Sequence, residues 1–260
     1  MGSATVQGAL WGADSQVWSE TLEACTRPLF ERVLGEVGAA PGRTLLDVGC
    51  GSGLALQMAA ELGADVSGLD ASAGMLAVAR ERTPGAVLHQ GDLDELPFDD
   101  DSFDAVTAFN SMQYADDPLP ALRELRRVAV PGAPVVLATW AVAELCESSA
   151  VFAAFGDLLP PPPSGATGPF ALSTPGVLED LVAQAGLRPD DADVVPVEFR
   201  FDSIDAAVRA HLSAGPARRC VDLAGRGATT TALRDALASS VQTDGSSSHQ
   251  NAFRYLVSYA

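Results

Sequence analysis

The chain has 260 residues, with 34 acidic side chains against 16 basic ones, a formal charge of −18 that repels nucleic-acid phosphates and anionic lipid. All 16 basic side chains are arginine, which excludes every lysine-based mechanism, and Cys25, Cys50, Cys146 and Cys220 are scattered with no CxxC pair. The length suits one α/β domain with an elaboration; no apolar run reaches the ~20 residues of a spanning helix, and the start lacks the basic-then-apolar pattern of a secretory leader, so a cytoplasmic protein without nucleic-acid or membrane partners is expected.

Trp18, Leu22, Cys25, Leu29 and Val33 recur at steps of three or four, one stripe of a helical surface. Pro28 cannot sit inside an unbroken helix, so the stripe predicts two helices, the second opening at Pro28. From Thr44 the period changes: TLLDVG is a short apolar run into glycines, which suits a buried parallel strand. Leu54, Met58 and Leu62 mark the next helix. The alternation continues with strand ADVSGLD, helix SAGMLAVARER, strand AVLHQGD, a loop containing PFDDDSF, and strand FDAVTAFN. Asp117 caps a helix with Pro118 in its first turn, and APVVLATW follows as a strand. Strand–helix alternation over 44–140 predicts a parallel sheet with right-handed crossovers and helices on both faces.

Beyond Trp140, ELCESSAVFAAFGDLL reads as helix and LPPPPSGATGP as a stiff extended segment. Thr174-Pro175 opens a helix that Gly186 closes. VVPVEFRF is expected as a strand, 203–241 as further helices, residues 245–248 with His249 as a polar, solvent-exposed turn, and NAFRYLVSY as the last strand.

Chemistry concentrates at the predicted strand ends. In Leu45-Leu46-Asp47-Val48-Gly49-Cys50-Gly51-Ser52-Gly53-Leu54, a strand enters three alternate glycines and then a helix. Such a turn admits a ligand close to the main chain, although tight turns also use glycine for purely structural reasons. Leu54 stands where the dinucleotide fingerprint has its last small residue, and the preceding acid, Asp47, suits a ligand with a cationic group better than a pyrophosphate. Asp70 ends the next strand, placed either to accept from ribose hydroxyls or to stabilise the following helix N-terminus. Ser72 is able to cap that helix alone, which favours ribose. Asp92 follows the third strand at the same edge. Asp99, Asp100 and Asp101 point in different directions and are expected as a solvated loop, with no metal site.

Together LLDVGCGSG, GLDAS, GDLDELPF, SFDAVTAFNSMQYADDP and ALRELRRVAVPGAPVVLATW make residues 44–140 resemble a class I S-adenosylmethionine-dependent methyltransferase of the type-11 small-molecule group. The resemblance implies a doubly wound, mostly parallel seven-stranded Rossmann-like sheet whose last strand is antiparallel, with N-terminal helices and a helical substrate cover. It divides the chain into a helical lid (1–40), a cofactor-binding α/β core (41–140) and a completion of the sheet (141–260) carrying the cover at about 141–173 and 203–245. It also implies S-adenosylmethionine as cofactor, with Gly49, Cys50 and Gly51 at the methionine end and Asp47 ordering that end. Asp70 and Ala71 would lie at the ribose, Met75, Asp92 and Leu93 around the adenine, Asn110 near the methyl group, and Trp18 in the lid.

Where many relatives of this group carry a His after the fourth strand, this chain has Met112-Gln113-Tyr114. Gln113 and Tyr114 are therefore candidate substrate contacts or strand-end packing, Tyr114 being a poor base near pH 7. His89, inside the third strand, is expected to be structural. His211 shares a helical face with Ile204, Ala207, Val208 and Leu212. It is either a satisfied core imidazole or, under a substrate cover, the general base or an orienting group. The reading that follows is methyl transfer to O, N or C of a small, hydrophobic acceptor, a secondary metabolite, by a monomer or homodimer. The alternatives are a non-methylating reaction such as a cyclisation on the same fold, and an NAD-dependent oxidoreductase.

Overall fold

The computed structural model describes residues 3–161 and 168–260, so residues 162–167 of the Pro-rich segment lie outside the described residues. The chain begins with α1 (Ser3–Gly12), α2 (Ser15–Glu20), a single 3-10 turn at Glu23–Thr26, and α3 (Arg27–Glu36). The predicted stripe is thus divided among three pieces, and Pro28 does lie in the first turn of α3. The sequence stripe missed α1 because SATVQGALWG has no apolar face and buries no residue within the fold.

The α/β core runs β1 (Thr44–Val48), α4 (Leu54–Glu61), β2 (Asp65–Asp70), α5 (Ala73–Arg82), β3 (Val87–Gln90), β4 (Ala105–Phe109), α6 (Pro118–Val128) and β5 (Pro134–Trp140). The expected caps form: Ser72 accepts from the Met75 N–H at 3.1 Å, and Asp117 from the Leu119 N–H at 3.0 Å. The remainder comprises α7 (Ser149–Leu158), α8 (Val177–Gln184), β6 (Arg188–Phe201), α9 (Ile204–Leu212), α10 (Gly215–Ala224), α11 (Arg226–Ala236) and β7 (Ser247–Tyr259).

The seven strands lie in the order β3-β2-β1-β4-β5-β7-β6, with β1 to β5 parallel and β7 antiparallel to both neighbours. This is the Rossmann-like sheet expected, with its last strand reversed. Successive residues of β1 face opposite layers: Leu45 packs in a core with α3 and α4, whereas Leu46 and Val48 join a second core with α6 and α8. The chain leaves β1 toward β2 and β3 on one side and returns through β4 and β5 on the other. The carboxyl ends of β1 and β4 therefore open a crevice where the strand order reverses, the usual binding place in such sheets.

Several expectations shift. The helix placed at Thr174-Pro175 begins at Val177, after Gly176, whose N–H donates to Glu179 Oε2 at 3.0 Å. VVPVEFRF is the inner part of a 14-residue edge strand that tolerates Pro189 and Pro196 because its outer side needs no ladder. The solvent-exposed turn expected at 245–248 ends at Gly245, after which Ser246 and Ser247 are buried, β7 opens at Ser247, and Ser247 Oγ lies 2.6 Å from Ser240 Oγ. His249 is consequently a buried β7 residue. His89 lies in β3, edge-on to Phe98. In the DDD loop, Asp100 accepts from Arg127 at 2.8 Å. Among the described residues no three His, Cys, Asp or Glu side chains group to hold a metal, and no helix is long and apolar enough to cross a membrane.

Candidate active site

One cavity, about 1480 Å³ counting its open mouth, lies over the carboxyl edge of the sheet. The glycine turn after β1 forms its floor. Gly49 has φ +81°, and a Cβ there would stand 2.3 Å from Ser111 Cβ, so packing against the end of β4 requires glycine. Gly51 differs: at φ +55° its missing Cβ would meet nothing within 4 Å, so it faces open space along the cavity wall. The turn is held from β2, because the Gly49 and Cys50 N–H groups donate to the Leu69 carbonyl at 2.7 and 3.0 Å, and Gly51 N–H donates to Asp70 Oδ2 at 2.8 Å. With these donors taken, the turn meets a ligand through carbonyls and Cα hydrogens.

Four carboxylates line the cavity: Glu23, Asp47, Asp70 and Asp92. Asp47 is 2 % exposed and accepts from Thr107 Oγ1 at 2.8 Å; burial pushes its pKa up to about 7. Burial likewise raises Asp70, against the pull of its bonds from the Ser72 and Gly51 N–H groups. Glu23 is raised by burial and opposed by Arg82, which donates to it. Burial favours the neutral form of a carboxyl, and a cation entering the cavity favours the charged form.

The structure brings together on this wall Trp18, Asp47, Gly49, Cys50, Gly51, Asp70, Ala71, Met75, Asp92, Leu93, Asn110, Tyr114 and His211. Asn110 follows β4 with φ +50°, a left-handed backbone held by its N–H bond to the Ala138 carbonyl at 2.8 Å. Gln113 is not brought to the wall; its Nε2 donates to Asn110 Oδ1 at 3.4 Å, so it positions Asn110 instead. Tyr114 lies against Trp11, ring centroids 5.8 Å apart, and burial raises its phenol well above the ordinary value. It is a hydrogen-bond donor and not a base.

Sequence reasoning places α1 within the lid over 1–40 but assigns neither Gly8 nor Trp11 to the cavity. Trp11 crosses Trp18 edge to face at 4.9 Å, and Gly8 lies so close to α5 that a Cβ would stand 2.5 Å from the Ala71 carbonyl oxygen. The aromatic residues Trp140, Phe152, Phe199 and Phe253 were also unassigned to the site, since each reads simply as core within its own element.

Residues 46–137, which carry the glycine turn and the carboxyl ends of β1 to β4, match the methyltransferase domain family. The match places a methyltransferase domain over residues 46–137 of this chain. A demethylmenaquinone methyltransferase from Renibacterium salmoninarum is 42 % identical to this chain over 113 residues, 44 % of this chain and 48 % of that protein. The chain thus spans about half the length of that curated relative. A methyltransferase candidate from Bacillus halodurans has the same fold at TM-score 0.59 and 16 % identity, over 88 % of this chain and 97 % of that chain. The [4+2]-cyclase SpnF shares the fold at TM-score 0.58 and 20 % identity, over 89 % and 79 %.

Proposed function

We propose that this protein transfers the methyl group of S-adenosylmethionine to a small, apolar acceptor. The observation that carries the reading is the convergence on one cavity of the Gly49–Gly51 turn after β1, Asp70 at the end of β2 and Asp92 after β3. These residues fit the cofactor. The acidic floor suits a cationic ammonium, Asp70 retains acceptor capacity for ribose hydroxyls, and Met75, Asp92 and Leu93 offer an apolar slot with an acceptor for adenine. Bound there, S-adenosylmethionine supplies a methyl carbon already made electrophilic by its sulfonium, so the protein's task is alignment.

The chain's own residues divide that task. Asp47 and the turn carbonyls hold the cationic end, and Trp11 and Trp18 close over the cavity and exclude water. Asn110 is fixed by Gln113 at the switch point, and Tyr114 donates a hydrogen bond. His211 is the candidate proton acceptor: it lines the cavity, and its buried Nε2 has no partner. The free state of all four cysteines supports a reducing, cytoplasmic setting. A monomer or homodimer, and a place in secondary metabolism, complete the proposal.

Incubation with methyl-labelled S-adenosylmethionine and candidate acceptors tests the reading, since each turnover must move the label and add one CH₂ to the acceptor. A product of unchanged mass would favour a rearrangement such as the cyclisation named for SpnF, because a shared fold does not fix the reaction.

A further inference from the structure

Away from the glycine turn the cavity wall is aromatic. Trp140, at the end of β5, lies 4.5 Å from Phe253 of β7, 5.5 Å from Phe152 of α7 and 6.0 Å from Phe199 of β6, centroid to centroid. His211 adjoins this wall, its ring 6.5 Å from Phe199. The imidazole has a defined tautomer. Its Nδ1 lies 2.8 Å from the Ala207 carbonyl, which only accepts, so Nδ1 carries the proton and Nε2 presents a bare lone pair. Burial keeps the ring neutral, with its pKa pushed down to about 4. His249 lies 5.3 Å away, ring centroid to centroid, and neither of its nitrogens has a hydrogen-bond partner, so it neither holds the His211 ring nor supplies a charge. A lone pair in an apolar wall is satisfied by a ligand that donates an O–H or N–H.

The charges lining the cavity narrow the choice further. Its ionisable carboxyls are those of Glu23, Asp47, Asp70 and Asp92; no arginine lies among the described lining residues, and the sequence has no lysine. A carboxylate or phosphate on the acceptor would be stripped of water with no counter-charge from the protein and with acidic side chains nearby.

We propose that the acceptor subsite takes a neutral aromatic molecule bearing a phenolic hydroxyl, its ring against Trp140, Phe152, Phe199 and Phe253 and its O–H donated to His211 Nε2. The inference rests on the methyl-transfer reading, which leaves this end of the cavity to the acceptor.

All three tryptophans of the chain, Trp11, Trp18 and Trp140, line the cavity, so intrinsic fluorescence reports binding directly. The wild-type chain, first titrated with S-adenosylhomocysteine, is then titrated with 4-phenylphenol, biphenyl, 4-methoxybiphenyl and biphenyl-4-carboxylate. The phenol is expected to bind about five- to tenfold more tightly than biphenyl or the methyl ether, the worth of one satisfied hydrogen bond. The carboxylate should bind at least about 100-fold more weakly than the phenol. His211→Leu should bring the phenol to the level of biphenyl while S-adenosylhomocysteine affinity holds. If that variant does not fold, the four-ligand series on the wild type decides alone. Equal affinities for phenol, biphenyl and ether, or tight binding of the carboxylate, overturn the inference when S-adenosylhomocysteine binds. Failure of S-adenosylhomocysteine itself to bind overturns the methyl-transfer reading and this inference with it.

Discussion

The carboxylate of Asp70 accepts the Gly51 N–H at 2.8 Å, tying the end of β2 to the turn that follows β1. Its other oxygen accepts the Ser72 N–H, also at 2.8 Å, so one side chain sets both the floor of the cavity and the first turn of α5. The acid proposed to hold the ribose is also a structural clamp. The two readings of Asp70 that the sequence poses as alternatives are compatible in the structure.

Asp70→Ala is therefore expected to lower stability as well as cofactor affinity, since two backbone amides lose their partner at about 1–3 kcal/mol for each one left buried. Asp70→Asn keeps an acceptor oxygen and should lose less. Thermal unfolding of both variants checks this; an Asp70→Ala protein that melts with the wild type would show the clamp to be idle.

Asp47 gives the ligand-free protein a distinctive pH dependence. Its folded pKa of about 7 lies above the ordinary 3.8, so the native state holds the proton more tightly than the unfolded chain. That stabilisation is complete below the unfolded value and is lost as pH rises through 7. Asp47→Asn keeps an acceptor for the Thr107 hydroxyl and should stabilise the ligand-free protein at pH 8 by about 2–4 kcal/mol, with the gap closing near pH 4. The same variant should bind S-adenosylhomocysteine more weakly. Denaturant melts at the two pH values decide, and a pH-independent difference would remove Asp47 as the cause.

The histidine pair acts at the acid end. His211 and His249 face each other at 5.3 Å between Phe199 and Phe201, and burial pushes their pKa values down to about 4 and about 3. Stability from these neutral rings is present above the unfolded value near 6.5 and is lost as pH falls through 4 toward 3. His249→Phe removes one ring that must otherwise be protonated in the unfolded chain. The acid midpoint, followed by circular dichroism, should move down by about half a pH unit or more. An unmoved midpoint would mean that carboxylates alone govern acid unfolding.

Docking of α1 depends on missing side chains. Gly8→Val places a branched Cβ where the Ala71 carbonyl oxygen already stands, 2.5 Å from the ideal Cβ position. Helix α1 should lift, taking Trp11 from Trp18 and Tyr114. Red-shifted tryptophan emission, weaker S-adenosylhomocysteine binding and an unchanged melting of the sheet are expected together. Unaltered emission would show that the helix stays docked.

The core of the fold was legible because each of its signals is local. TLLDVG, ADVSGLD and APVVLATW are short buried runs closed by turn chemistry, and Asp117-Pro118 and Ser72 are caps that need no tertiary partner to be recognised. The end of the cavity proposed for the cofactor is legible for the same reason, since Gly49, Asp70 and Asp92 all lie at or just after strand ends. The aromatic end was not. Trp140, Phe152, Phe199 and Phe253 come from four separate elements and meet only through the sheet order, which places β7 between β5 and β6. His249 was misplaced because Gly-Ser-Ser-Ser has the composition of an exposed turn, whereas Ser240 and the β6 ladder bury it. Helix α1 left no apolar period to find, because it docks through the backbone of Gly8 and Gly12 and the single ring of Trp11.

Isothermal titration calorimetry of the wild-type chain with S-adenosylhomocysteine, and separately with NAD, tests the assignment of the cavity most directly. One-to-one binding of S-adenosylhomocysteine that tightens from pH 6 to pH 8 as Asp47 ionises, with NAD at least about tenfold weaker, is the expected result. Absence of heat with S-adenosylhomocysteine, or NAD binding of equal strength, would contradict it.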